Sequence, residues 1–288
     1  MALVCEYPVL QIRPYGLLVY THKEYDTNPR RSENQTKNTI TAYTGKLTTF
    51  SKKKLKRALQ LIVASAVEKE APNFKSGKTF KFKLNFLTFT LPTAQGTTTD
   101  KELKHALDNW IKRAKRKHKL NSYVWRAERQ ANGNIHFHMV TDTWIHYEKI
   151  RNDWNECLRA FGMIDKFKQK HGHENPNSTD VHAIYRVKNL VQYFVKYMSK
   201  EHKEGEAPIE GKIWDCSTNL KNRKNCEMVL EGEVRDKWEE IVKDESLTRI
   251  NDPMFTIIFI PPDMFVVLFT SSMLNQWNEY LAIIRNST

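Results

Sequence analysis

Cysteine is scarce in this chain and follows no pairing pattern. Cys5, Cys157, Cys216 and Cys226 form no CxxC pair and no zinc-ribbon spacing. Four cysteines in 288 residues make no disulfide scaffold, so they read as reduced thiols. The N-terminus, MALVCEYPVLQIRP, lacks a basic stretch followed by a continuous apolar run, so no secretory signal is expected. Long hydrophobic runs are missing too. The most apolar segment, Met254 to Thr270, is interrupted by Pro261-Pro262-Asp263 and is short for a membrane span. Two buried strands joined by a turn fit it better, which points to a cytoplasmic protein with no membrane partner. Acidic residues are the last deficit: 33 stand against 46 basic ones, a net charge of +13, and this implies a polyanionic partner.

A phosphate-binding loop is also missing, although Ser76-Gly77-Lys78-Thr79 imitates one. A P-loop needs a glycine five residues before the GK pair, where Pro72 stands, and it should open a helix rather than lead into a strand. No ATP binding is expected.

The chain carries no internal repeat. Its first fifty residues show little pattern, and the polar run from Asp26 to Asn38 reads as a surface loop. From Ser51 to Glu70, Leu55, Leu59, Ile62, Ala66 and Val67 recur at helical spacing below a lysine-rich first turn. Phe80, Phe82, Leu84 and Phe86 alternate with polar residues, and the pattern continues to Pro92 as one strand, apolar on both faces toward its end. Asp100 can cap a helix running to about Lys119. Tyr123 to Gln130 and Ile135 to Thr141 form a hairpin around Asn132-Gly133. A helix from about Tyr147 to Phe161 follows, then a polar loop from Lys166 to Thr179, a strand from Val181 to Tyr185 and a helix from Leu190 to Lys200. A last helix spans about Ser272 to Arg285. Strands separated by helices, with one clear hairpin, indicate an α+β fold with a mainly antiparallel sheet. Composition suggests three parts: an N-terminal segment with a basic helix over 1–78, a central domain over 79–225, and a C-terminal extension over 226–288.

Two patterns carry chemistry. His136-Phe137-His138 lies in a strand, so both imidazoles project from one face and can meet one metal ion. An HxH pair alone also fits a half-exposed sheet face. Glu128, on the partner strand, adds a hard oxygen donor, and two imidazoles plus one carboxylate suit Mg²⁺ or Mn²⁺ with positions left for water or phosphate. A structural zinc site would close its fourth position, and no cysteine is near. Asp142 and His146 are weaker candidate ligands. His171 and His173 form a second HxH inside the polar loop and read as solvated. The hairpin register matters here. A two-residue turn at Asn132-Gly133 would pair Glu128 with Phe137 and turn it away from the histidines. A three-residue loop, Ala131-Asn132-Gly133 with Gly133 left-handed, would pair Glu128 with His136, and this form is expected.

Tyr193, Lys196 and Tyr197 are the second pattern, sharing one narrow arc of a helix. Tyrosines one turn apart often only pack, but a lysine on that arc opposes burial. A phenol has a pKa of about 10 and is a weak nucleophile, so a nearby cation and a Lewis acid on phosphate would both help it. A metal beside two phenols on a basic chain points to an enzyme that cuts and rejoins a nucleic-acid backbone. The DNA path is expected along Lys112, Arg113, Lys115, Arg116 and Lys117, then the run from Lys52 to Arg57, with Lys200 beside the tyrosines.

These residues resemble the HUH endonuclease superfamily, above all the rolling-circle replication initiators of small single-stranded DNA phages and related plasmids. Phe86 to Pro92 is similar to the first family motif. Glu128 with Asn132 to His138 is similar to the second, and Tyr193 to Lys200 to the third in its two-tyrosine form. Gly211-Lys212-Ile213-Trp214, with Ser217 and Leu220, resembles a stretch that follows it in phage members. The resemblance spans about Phe80 to Leu220. It implies a five-stranded antiparallel sheet flanked by helices in the 79–225 domain. It also implies nicking and joining of a single-stranded DNA origin through a 5′-phosphotyrosine, within a host bacterial cytoplasm. With no P-loop of its own, the chain would use a host helicase and the host replication machinery. Alternatives are a plasmid-mobilisation relaxase, a two-tyrosine single-strand transposase, or a non-catalytic binder using an RRM-like sheet on single strands.

Overall fold

A computed structural model describes residues 3–25, 47–73, 76–185, 194, 207–221 and 225–286. The chain divides into two compact units, Met1–Ile40 with Asn222–Asn286, and Thr41–Lys221 with Ser287–Thr288.

The first unit opens with β1 (Leu3–Arg13) and β2 (Gly16–Tyr25), which pair antiparallel through the register Arg13↔Gly16. Gly16 has φ +147, and a Cβ there would come within 2.1 Å of the Ile258 carbonyl oxygen, so only glycine admits the approach of that strand.

The second unit runs through α1 (Thr49–Ser65), β3 (Lys69–Pro72), β4 (Thr79–Phe82), β5 (Leu84–Phe89), α2 (Asp100–His118), β6 (Tyr123–Arg129) and β7 (Ile135–Thr141). It continues with α3 (Tyr147–Arg159), α4 (Met163–His171), β8 (Thr179–Ile184) and β9 (Trp214–Cys216). The rest of the first unit is β10 (Cys226–Val229), α5 (Gly232–Lys243), β11 (Arg249–Asp252), β12 (Phe255–Phe259), α6 (Phe265–Leu268) and α7 (Ser271–Asn286).

The fold is α+β. The sheet of the second unit has five strands in the order β8-β5-β7-β6-β9, all antiparallel. Strand alternation divides its side chains between two faces. One face sends Leu87, Phe89, Trp125, Ala127, Phe137 and Met139 into a core with Leu107 and Trp110 of α2 and Trp154 of α3. Phe89 packs edge-on against both tryptophans, with centroids 4.6 Å and 5.2 Å away. Burying each such ring contributes roughly 2–3 kcal/mol. The opposite face carries Phe86 and Thr88, His136 and His138, and Arg126 and Glu128. The helix α1 packs on β6 and β9, and the Trp214 indole N–H donates to the Ser51 hydroxyl at 2.6 Å. Trp214 pairs with Arg126, so α1 is fastened to the histidine side of the sheet.

The first unit builds its own antiparallel sheet in the order β10-β1-β2-β12-β11. Leu10, Leu17 and Ile258 of the sheet are buried, as are Trp238 of α5 and Trp277 of α7.

Several expectations need correction. The boundaries after 78 and 225 differ from the observed division, because strands from both ends of the chain pair in one sheet while the basic helix α1 belongs to the central unit. Long-range pairing of this kind leaves no mark in local composition. The strand expected over Phe80–Pro92 is broken at Lys83: β4 pairs with β3 in a two-stranded ribbon, and β5 enters the main sheet. Thr99, not Asp100, caps α2, with Glu102 completing a capping box. The loop expected from Lys166 holds α4, where the Phe167 and His171 rings stack one turn apart at 4.3 Å. Met254–Thr270 contains one strand, β12, and then α6 rather than a second strand. The polar run over 26–38 lies outside the described residues.

Candidate functional site

The hairpin β6–β7 sets the site. Gln130 N–H donates to the Asn134 carbonyl at 2.8 Å, and Gly133 N–H donates back to the Gln130 carbonyl at 2.9 Å. The loop is therefore Ala131-Asn132-Gly133, with Gly133 left-handed at φ +81. The three-residue form keeps Glu128 opposite His136 and Arg126 opposite His138. All four side chains then emerge on one face of the sheet.

Glu128 Oε2 lies 3.5 Å from Nε2 of His136 and 3.5 Å from Nε2 of His138. The three donor atoms fall within 4.8 Å of one another, a separation that one ion can bridge. The imidazole rings stand nearly perpendicular, with centroids 4.4 Å apart. The side chains are only 13–16% exposed. Glu128 Oε1 and both ring nitrogens of His136 are buried without a well-formed hydrogen bond among the described residues. Buried polar atoms normally find partners, so this donor set fits a bound cation.

The surroundings prepare these donors. Burial by itself would raise the Glu128 carboxyl pKa, but the nearby imidazoles of His136 and His138 and the charge of Arg126 hold it well below the ordinary glutamate range. The Arg126 guanidinium, 3.5 Å from Glu128 Oε1, is almost fully buried, and burial lowers its own pKa against the pull of Glu128. The Thr88 hydroxyl sits 3.2 Å from His138 Nδ1 and directs Nε2 toward the carboxylate. Phe86 stacks on the His138 ring at 5.2 Å.

A polar network fixes the hairpin from behind. Arg129 donates to both oxygens of Asp100, at 2.9 Å and 2.5 Å, and to the Gly133 carbonyl at 3.3 Å. The Gln95 side chain receives Ile135 N–H at 3.0 Å, and its backbone N–H donates to Asn134 Oδ1 at 2.9 Å. The residues just before His136 are thus tied to the loop after β5 and to the start of α2. Asp100 is buried, which favours its neutral form, yet Gln95, the Glu210 N–H and Arg129 together hold its pKa below the usual carboxylate range.

The remaining candidates are dispersed. Asp142 accepts from Ser122 N–H at 3.2 Å, and His146 sits 3.8 Å from Glu148, so neither joins the Glu128 cluster. His171 and His173 are exposed and flank the Phe167 ring. Lys112, Arg113, Lys115, Arg116 and Lys117 lie on α2, across the sheet from the histidines, and Arg113 and Lys117 are engaged by Asp153. Tyr193, Lys196, Tyr197 and Lys200 lie outside the described residues. Phe194, between them in sequence, is helical and buried, and its ring stacks on Phe86 at 5.9 Å. Sequence reasoning passed over Arg126, although it stands two residues before Glu128 and so on the same strand face. Thr88 and Gln95 gave no comparable signal, because their roles depend on pairing between distant segments.

Residues 84–202 match a family model described as replication-associated protein, of the ORF2 type. The match spans β5, the hairpin and the tyrosine segment. No curated protein and no solved structure matches the chain. Among the described residues, no helix is long and apolar enough to cross a membrane.

Proposed function

We propose that this protein initiates rolling-circle replication by nicking single-stranded origin DNA through a tyrosine and later rejoining it. One observation carries the reading. Glu128, His136 and His138 converge inside a segment that matches a replication-associated family.

Glu128, His136 and His138 would hold Mg²⁺ or Mn²⁺, whose oxygen-rich coordination suits a carboxylate and a phosphate. When bound, the ion supplies Lewis acidity at the scissile phosphate. Arg126 keeps Glu128 ionised, and Thr88 sets the His138 ring. Lys196 would favour the phenolate of a neighbouring tyrosine, whose ordinary pKa is about 10. Tyr193 Oη then bonds to phosphorus, the bond from phosphorus to O3′ breaks, and the 3′-oxygen leaves with a proton as a hydroxyl. The 5′ end remains on the tyrosine. Rejoining reverses these bonds, with the 3′-hydroxyl attacking the phosphotyrosine and the phenol leaving. Tyr197, on the same helical arc in sequence, would make the second cut. Support comes from Phe194, whose ring meets Phe86 while Phe86 meets His138, a chain of stacked rings linking the tyrosine segment to the histidine face. A host helicase would open the duplex.

Incubation of circular single-stranded origin DNA with Mg²⁺ or Mn²⁺ tests the reading. Wild-type protein should nick it, and His136→Ala should bind DNA without nicking. Wild-type nicking by that variant in Mn²⁺ would overturn the ligand assignment, and binding without nicking by wild type would leave a non-catalytic binder.

A further inference from the structure

The structure assigns a second phosphate-binding site to the reverse face of the same sheet, in the cleft between α2 and α3, where it would hold DNA backbone that flanks the nicked position. The choice of DNA as the ligand rests on the proposed function; the cleft and its charge do not.

The cleft encloses about 350 Å³ and is lined by Asn109, Lys112, Arg113 and Arg116 of α2, facing Glu156 and Cys157 of α3. Spacings of three, four and seven residues put the α2 side chains in one stripe along the helix. Their charges are not equivalent. Asp153 takes up Arg113 at 3.4 Å, Lys117 at 2.9 Å and His118 at 2.9 Å, and so binds α2 to α3. Glu156 faces Arg159 at 3.4 Å. Lys112 and Arg116 are exposed and form no ion pair with any described residue. Two cations one helical turn apart repel each other, and nothing described in the cleft relieves them. An anion seated between them would do so. A guanidinium beside an ammonium suits a phosphodiester, the guanidinium by its forked donors and the ammonium as a point charge.

Position decides what the site would bind. The histidines emerge on one face of the sheet, while α2 and α3 cover the other. A strand held at the histidines must pass the edge of the sheet before it reaches Lys112 and Arg116. The cleft would therefore contact DNA remote from the scissile phosphate, and only when the substrate carries long flanks.

The test measures affinity against salt concentration for Lys112→Gln/Arg116→Gln on two single-stranded origin DNAs, one trimmed around the nick and one with long flanks. Each phosphate contact on a single strand contributes about 0.7 to the log–log salt slope, so two lost contacts should lower it by about 1.4 on the long DNA. The slope on trimmed DNA, and the nicking of that DNA, should stay as in wild type. Arg116→Gln alone should lower the long-DNA slope by about 0.7, which covers the case of a double variant that fails to fold. Lys112→Arg/Arg116→Lys should keep the wild-type slope. An unchanged slope on both DNAs overturns the proposal and leaves the cleft to an acidic protein partner. An equal fall on both overturns it as well, because the contacts would then lie near the nick. The binding readout requires neither metal nor tyrosine, so its failure is distinct from failure of the nicking mechanism.

Discussion

Glu128 stands directly opposite His136 across the β6–β7 hairpin, with Oε2 3.5 Å from Nε2. The pairing depends on the three residues of the loop. Deleting Ala131 should favour a two-residue turn and shift the register by one, which sends Glu128 to the helix-covered face. Calorimetry with Mn²⁺ is expected to show binding in wild type and none in the deletion variant, while far-ultraviolet circular dichroism remains that of a folded α+β protein. Wild-type Mn²⁺ affinity in the variant would separate the loop length from the site.

Thr88 acts on the site through His138. Its hydroxyl lies 3.2 Å from Nδ1 and thereby fixes the tautomer that presents Nε2. Thr88→Val preserves shape and removes that partner. Losses of this kind cost about 10–100-fold in metal affinity, and a fall in that range is expected on Mn²⁺ titration. Thr88→Ser, which keeps the hydroxyl, should recover most of it.

Acid should loosen the second unit through Asp153. Burial would raise this carboxyl, but Lys117 and His118 hold its pKa below the ordinary value. A depressed folded-state pKa means that the stabilisation is present above the unfolded value of about 3.9 and is lost as pH falls through the folded one. Asp100 contributes with the same sign, again with burial opposed by its hydrogen bonds. Urea unfolding should therefore show stability declining below about pH 4, and Asp153→Asn should flatten the decline. A wild-type profile flat down to about pH 3 would contradict the assigned ion pairs.

The site was more legible in the sequence than the fold around it. Period-two alternation places His136, His138 and Glu128 together once the hairpin register is known, and Asn132-Gly133 signals the hairpin itself. The helix α2 was legible because Leu103, Leu107, Trp110 and Ile111 recur at helical spacing. The pairing of β1 and β2 with β10 and β12 was not, since it joins residues more than two hundred positions apart. Asp100 shows the same limit: its side chain looks like a helix cap in sequence, whereas in the fold Thr99 caps and Asp100 anchors Arg129.

The central claim is that Tyr193 and Tyr197 are the nucleophiles served by the Glu128–His136–His138 cluster. The most direct measurement is to trap the covalent protein–DNA adduct formed on a single-stranded origin oligonucleotide in Mn²⁺ and map it by mass spectrometry. The account predicts a 5′-phosphotyrosine at Tyr193 or Tyr197, none in the Tyr193→Phe/Tyr197→Phe double variant, and none when the metal is chelated. An adduct on any other residue, or one that forms equally well in the double variant, would contradict it.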